Sequence, residues 1–182
     1  MKHISTIAAS AFLAAGVLLF ALAAKGQTTP VKVGNSVPVF SLTDQNGKPF
    51  AINDYVGKKI LVIYFYPKDE SSVCTKEACA FRDNYTQFTD KGALVIGING
   101  GTVESHHSFA ANHQLPFVLL SDPGNKVLKQ FGVKGGAFGL TGRQTYVIDL
   151  TGKVVFSYNS MMQGKKHEED ALAYIGKLQP AK

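Results

Sequence analysis

The feature that most constrains this chain is the run "KKILVIYFYP" at residues 58–67, apolar without interruption from its third residue to its last tyrosine. A strand with one wet face alternates apolar and polar residues, so an unbroken run predicts a strand buried on both faces, in the middle of a sheet. Pro67 ends it, because proline cannot donate to a sheet ladder. Two further apolar runs follow, "ALVIGING" at 93–100 and "PFVLL" at 116–120, each after a segment long enough for a helix. Strand, helix, strand, helix, strand implies right-handed crossovers and a partly parallel sheet.

Around that core the chain reads as hairpins and helices. Between residues 37 and 52, two short apolar runs flank "DQNGK", and Asn46-Gly47 predicts an N-terminal hairpin turn, since both residues tolerate positive φ. "QTYVIDLTGKVVFSY" at 144–158 predicts a second hairpin turning at Thr151-Gly152. Asp122-Pro123 reads as an N-cap with proline at the first helical position of a short helix through Val127, Leu128 and Phe131. In "KKHEEDALAYIGKL", Leu172, Ile175 and Leu178 share one face of an amphipathic closing helix. The expected class is α/β, a mixed central sheet flanked by helices with an N-terminal hairpin.

The amino terminus stands apart. Met1, Lys2 and His3 precede an apolar stretch over residues 4–24 that contains Ala21-Leu22-Ala23 and meets the polar "KGQTTP" at Lys25. Residues 1–23 are read as a secretory signal peptide or a membrane anchor, since about 20 apolar residues suffice to span a bilayer. Residues 24–32 form a linker and residues 33–182 one domain, of a size that builds its own core. The location expected from this leader is export, to the periplasm or cell envelope. The net charge of +6 is modest and its lysines are dispersed, so nucleic acid is not implied.

The chain's two cysteines are Cys74 and Cys79. Cys74, Ala78, Phe81, Tyr85 and Phe88 recur at steps of four, three, four and three, one apolar stripe of a helix over residues 71–90. Cys74 therefore belongs to the first turn, just beyond the carboxyl end of the 58–67 strand, where open α/β sheets commonly build their sites. Five helical residues leave Cys74 and Cys79 roughly 140° apart with Cα atoms about 8 to 9 Å apart. A disulfide tolerates at most about 7 Å, so the pair bonds only if a turn of helix unwinds. A metal clip wants four ligands and no further cysteine exists. His106, His107 and His113 lie on the separate segment "TVESHHSFAANHQ", where polar histidines suggest a solvated face. A buried neutral Cys74 remains the plain structural reading. A reactive one needs a helix N-terminus, which the first turn supplies, and a cation from elsewhere.

"FYPKDESSVCTKEACAFRD" at 65–83 resembles the active-site segment of the peroxiredoxins, in particular the peroxiredoxin Q, or bacterioferritin comigratory protein, subfamily. The similarity continues through "VESHHSFAANHQLPFVLLSD" and "RQTYVID" and spans residues 33–178. It implies a thioredoxin-like fold and a thiol peroxidase acting on hydrogen peroxide and organic hydroperoxides without cofactor or metal. The family's signature falls on Pro67, Ser71 and Cys74, its active-site arginine on Arg143, and the second cysteine of some members on Cys79. Cys74 is then peroxidatic, Cys79 resolving, and Arg143 the missing cation. Pro67 shields the pocket and the Ser71 hydroxyl donates to the peroxide. Glu77 matches a commonly acidic position that orients the arginine or favours the first helical turn. The resemblance further implies a thioredoxin-like dithiol as reductant, and an intramolecular partner thiol removes any need for a second subunit, so a monomer is expected. The subfamily's "TPGC" is "SSVC" here, and valine for glycine puts the loop geometry in question. Competing readings are an envelope copper-delivery protein, which would want tighter cysteine spacing, and a disulfide oxidoreductase, which would want two intervening residues.

Overall fold

Strand β3, Ile60–Phe65, has all six residues buried. The computed structural model describes residues 30–135 and 141–178, and places β3 beside parallel β4 (Ala93–Asn99) and antiparallel β6 (Gln144–Ile148). The order in the sheet is β2-β1-β5-β4-β3-β6-β7, with β1 Ser41–Asp44, β2 Pro49–Ala51, β5 Val118–Ser121 and β7 Val154–Asn159. Alternation along β3 explains its unbroken apolar run. Leu61, Ile63 and Phe65 enter a core with Ile96, Phe131, Tyr146 and Ile148. Val62 and Tyr64 enter a second core on the opposite face with Cys74, Phe81, Phe109 and Ile175. Two buried faces require apolar side chains at both parities.

Both expected hairpins form. β1 pairs antiparallel with β2 and β6 with β7. At the first turn only Gly47 takes positive φ, +76°. Asn46 is held differently, because Asp44 Oδ1 accepts from the backbone N–H groups of Asn46 and Lys48.

Two expected helices differ in detail. The helix over 71–90 is two, α1 Ser72–Asp83 and α2 Tyr85–Asp90, separated at Asn84 with φ −106° and ψ 11°. Asn84 Nδ2 donates to the Ala80 carbonyl at 3.5 Å, a local side-chain bond to backbone of the kind that competes with the helix ladder and favours asparagine at breaks. The stripe still faces inward, with Cys74, Ala78, Phe81 and Phe88 buried. Asp122 does cap a helix, but α4 begins at Lys126 (Lys126–Gln130), since Gly124 and Asn125 take positive φ ahead of it. The Asp122 carboxylate instead accepts from the N–H groups of Lys126, Val127 and Leu128 at 2.9, 3.1 and 2.9 Å.

The closing helix α5, Gly164–Leu178, buries Ala171 and Ile175 fully and leaves Leu172 and Leu178 half-buried. It starts on glycine because a Cβ there would come within 2.7 Å of the Val73 carbonyl oxygen, so α1 and α5 meet at their first turns. α3 spans Val103–Asn112 on the same face of the sheet, with its Phe109 in the core of Cys74.

Buried Glu168 on α5 gives a pH signature. Desolvation first, and neighbouring Glu169 second, push its carboxyl up to about 7, against weaker pulls from Asn84 and Lys165. A folded-state value above the unfolded one means the folded chain holds a proton that the unfolded chain releases. Its contribution to stability is present below the ordinary carboxylate range and is lost as pH rises through 7. Wild-type protein is expected to unfold at lower urea at pH 8 than at pH 5, and Glu168→Gln to narrow that gap by about 1–3 kcal/mol. An unchanged gap in the variant would show that Glu168 does not titrate in this range.

Candidate active site

The site forms where β3 ends and α1 begins. Tyr66 leaves the sheet, residues 67–71 turn the chain, and Cys74 follows as the third residue of α1 with 1% of its surface exposed. The free N–H groups of a first helical turn favour negative charge there. Arg143, the residue before β6, reaches across the neighbouring strand with its side chain 2% exposed. Its Nη2 donates to Cys74 Sγ at 3.0 Å, Nη1 donates to Glu77 Oε2, and Nε donates to the Met161 carbonyl at 3.2 Å. Three edges of one planar group are thus fixed, with one aimed at sulfur. Burial pushes the Glu77 carboxyl up to about 8 against the pull of Arg143.

Cys79 lies five residues along α1, half-buried, and both cysteines are free thiols. An intact α1 keeps them about 8 to 9 Å apart by helix dimensions, so the separation expected from the sequence holds. Arg82, one turn on, has its guanidinium tied to Asp83 and, through Nη1 at 2.8 Å, to the His113 carbonyl.

Pro67 is half-buried, and its carbonyl accepts a 3.1 Å hydrogen bond from Thr141 Oγ1. Ser71 is the N-cap of α1 through its backbone, since its carbonyl accepts from Thr75 N at 2.8 Å. Its hydroxyl instead donates to the Lys68 carbonyl at 3.1 Å and makes no side-chain cap. Ser72 and Val73 are the first two residues of α1, whose backbone valine adopts at modest cost, and the positive φ of +58° falls on Glu70.

A buried cluster behind the turn was not foreseen. The Asp69 carboxylate accepts from Tyr66 Oη (2.8 Å), Asn99 Nδ2 (2.9 Å), Ser105 Oγ (2.6 Å) and His106 Nδ1 (2.8 Å). Burial alone would raise its carboxyl, but the bonds from His106 and Ser105 outweigh burial and hold it below the usual range. His106, expected on a solvated face, is fully buried because it supplies this bond. Gly101 allows the cluster to close, since a Cβ there would meet Asn99 Oδ1 at 2.8 Å and His106 Cε1 at 3.0 Å. Gly101, in "NGGT" at residues 99–102, therefore has a packing reason. His107 is exposed near the Gln45 carbonyl, and His113 pairs with Glu70 at 2.8 Å. The three histidines diverge, and among the described residues no three His, Cys, Asp or Glu side chains group as a metal set.

Residues 33–157 match the AhpC/TSA family. The chain is 48% identical over 149 residues to the chloroplastic peroxiredoxin Q of Sedum lineare, covering 81% of this chain and 80% of that one. It is 49% identical over 146 residues to the chloroplastic peroxiredoxin Q of Arabidopsis thaliana, covering 80% and 67%. The crystal structure of peroxidoxin BcpB from Mycobacterium tuberculosis superposes with TM-score 0.77 at 35% identity, covering 82% of this chain and 99% of that one. The fold is accordingly thioredoxin-like. These relatives also correct one expectation. The two plant relatives are named as chloroplastic proteins, which overturns the exported location, periplasmic or in the cell envelope, drawn from the apolar leader; an apolar stretch alone does not say which membrane a chain is addressed to. The leader, residues 1–23, lies outside the described residues, and among those described no helix is long and apolar enough to cross a membrane. By its match along the domain and its close relatives, the chain belongs to the AhpC/TSA family, within the peroxiredoxin Q branch.

Proposed function

We propose that this thiol-dependent peroxidase reduces hydrogen peroxide and organic hydroperoxides at Cys74 and resolves the product through Cys79. The observation that carries the residue assignment is the 3.0 Å contact from Arg143 Nη2 to Cys74 Sγ at the start of α1. In the first step the Cys74 thiolate attacks one peroxide oxygen and the O–O bond breaks. The leaving oxygen takes a proton to become water or an alcohol, and Cys74 is left as sulfenic acid. Arg143 steadies the thiolate and then the departing oxygen with its fixed donors. Pro67 screens the pocket, and the Ser71 hydroxyl turns from Lys68 to the peroxide once substrate enters.

In the second step the Cys79 thiolate attacks Cys74 sulfur, a disulfide forms, and the sulfenic oxygen leaves as water. Local unwinding of α1 must precede it, given the separation along the helix. A thioredoxin-like dithiol then reduces the disulfide by exchange, becoming oxidised itself. The cycle closes within one chain, which supports a monomer. The plastid names of the relatives favour that organelle as the place to seek the reductant, with residues 1–23 as a targeting segment ahead of the domain 33–182. Copper delivery is disfavoured because Cys74 faces an arginine rather than a histidine.

Reduced protein mixed with a slight excess of peroxide should lose both thiols and gain one intramolecular disulfide. Cys79→Ser should still oxidise at Cys74 and accumulate sulfenic acid that a dimedone probe captures, while turnover with a dithiol falls steeply. Absence of captured sulfenic acid in that variant would remove Cys79 from the resolving role. An unreacted Cys74 in wild type would remove the whole reading.

A further inference from the structure

We propose that His167, which does not touch the reacting atoms, is a positioning residue that holds Arg143 in line with Cys74. The proposal rests on the reading of Cys74 and Arg143 just given. His167 stands in the first turn of α5 with no exposed surface. Its Nε2 lies 2.9 Å from the Ser160 carbonyl, and its Nδ1 lies 2.8 Å from Thr145 Oγ1. A carbonyl only accepts, so Nε2 carries the ring proton, Nδ1 holds the lone pair, and the threonine hydroxyl donates to it. Both partners are satisfied by one tautomer of the neutral ring. Burial, the largest influence, lowers its titration to about 4, so that the neutral form persists at working pH.

The consequence for the site runs through one short stretch of backbone. Ser160, held by His167, precedes Met161, whose carbonyl receives Arg143 Nε. Asn159, the residue before, donates from Nδ2 to the Arg143 carbonyl at 2.7 Å. Thr145, the ring's other partner, is two residues beyond Arg143 on β6. His167 thus ties the same two segments that grip Arg143 by backbone and side chain. Asn159 is further held by its ladder pairing with Gln144, and Ser160 Oγ accepts from Gln163 N at 3.3 Å, but Met162, immediately after the stretch, is 78% exposed. Of the guanidinium's three contacts, the Met161 carbonyl is the one supplied by a turn rather than by α1. If that acceptor moves, the planar group can rotate about its remaining partner Glu77 and Nη2 leaves the line to sulfur. The Glu77 Oε1 atom lies 3.7 Å from Nδ1, too far for a hydrogen bond, so His167 does not act by bonding Glu77.

Rapid-mixing measurement of Cys74 oxidation tests this in His167→Leu and His167→Gln, each made alone and together with Arg143→Leu. The leucine variant should react roughly tenfold more slowly with peroxide, the size expected for misdirecting one donor rather than removing it. Glutamine, which can donate to Ser160 and accept from Thr145, should recover most of the rate. Once Arg143 is absent, His167→Leu should cost nothing further, since coupled residues are non-additive. A wild-type rate in His167→Leu, or the same fall in the Arg143→Leu background, overturns the proposal. If the leucine variant fails to fold, His167→Asn, too short to reach Ser160, takes its place with the same expectations. A wild-type protein whose Cys74 ignores peroxide would fail the underlying peroxidase reading instead, so the two failures are distinguishable.

Discussion

Replacing Cys74 with serine should abolish peroxide turnover while leaving the fold in place. The substitution changes one atom at a position that packs with Ala78 and Phe81 and is 1% exposed. Among the described residues of the site, the Cys74 sulfur is the atom able to accept and give up oxygen reversibly. A serine alcohol stays protonated under the same guanidinium, so Arg143 has no anion to hold. The loss should be about 10⁴-fold or more, the scale seen when a nucleophile is removed from a preorganised site. Cys79 is no substitute, because Arg82 beside it is tied to Asp83 and His113 rather than free for substrate. Peroxide consumption with excess dithiol reads the loss, and urea unfolding should show a midpoint close to wild type. Retained turnover in a folded Cys74→Ser protein would move the nucleophile elsewhere.

Much of this architecture is written locally in the chain. The run at 58–67 dictated a central strand because burial on both faces is a one-dimensional property, visible without any partner. The stripe from Cys74 to Phe88 likewise fixed which side of α1 meets the sheet, and the spacing to Cys79 fixed that the thiols start apart. Properties that depend on distant partners were hidden. His106 reads as polar on a polar helix, and only Asp69, 37 residues earlier, makes its burial tolerable. Asp122 caps a helix that begins three residues later than its neighbour Pro123 suggests, because two left-handed residues intervene. His167 is one polar residue in a charged helical turn, and its link to Arg143 passes through a carbonyl that no side-chain pattern encodes. Arg143 itself became legible through resemblance to a family rather than through spacing. The leader shows the opposite failing, since a strong local signal gave the wrong compartment.

Arg143→Leu should lower the second-order rate of Cys74 oxidation by about 10²–10³, the range for losing one preorganised donor to developing negative charge. The guanidinium acts twice, on the thiolate before attack and on the departing oxygen during it, so the effect belongs to the chemical step. Raising peroxide concentration should lift the observed rate in proportion and leave the second-order constant low. The variant should nonetheless fold. Removing one partner of a buried ion pair ordinarily strands a charge, but burial pushes the Glu77 carboxyl up to about 8 even against the pull of Arg143, so without Arg143 it stays protonated around neutral pH. Unfolding at pH 6 should therefore be affected less than at pH 9, where the stranded carboxylate must ionise. Arg143→Lys separates charge from geometry. A lysine ammonium keeps the cation but lacks the fork that reaches Cys74, Glu77 and Met161 together. It should recover only part of the rate. A lysine variant as fast as wild type would mean that charge alone suffices, and the three-point orientation of the guanidinium would then have no part in catalysis.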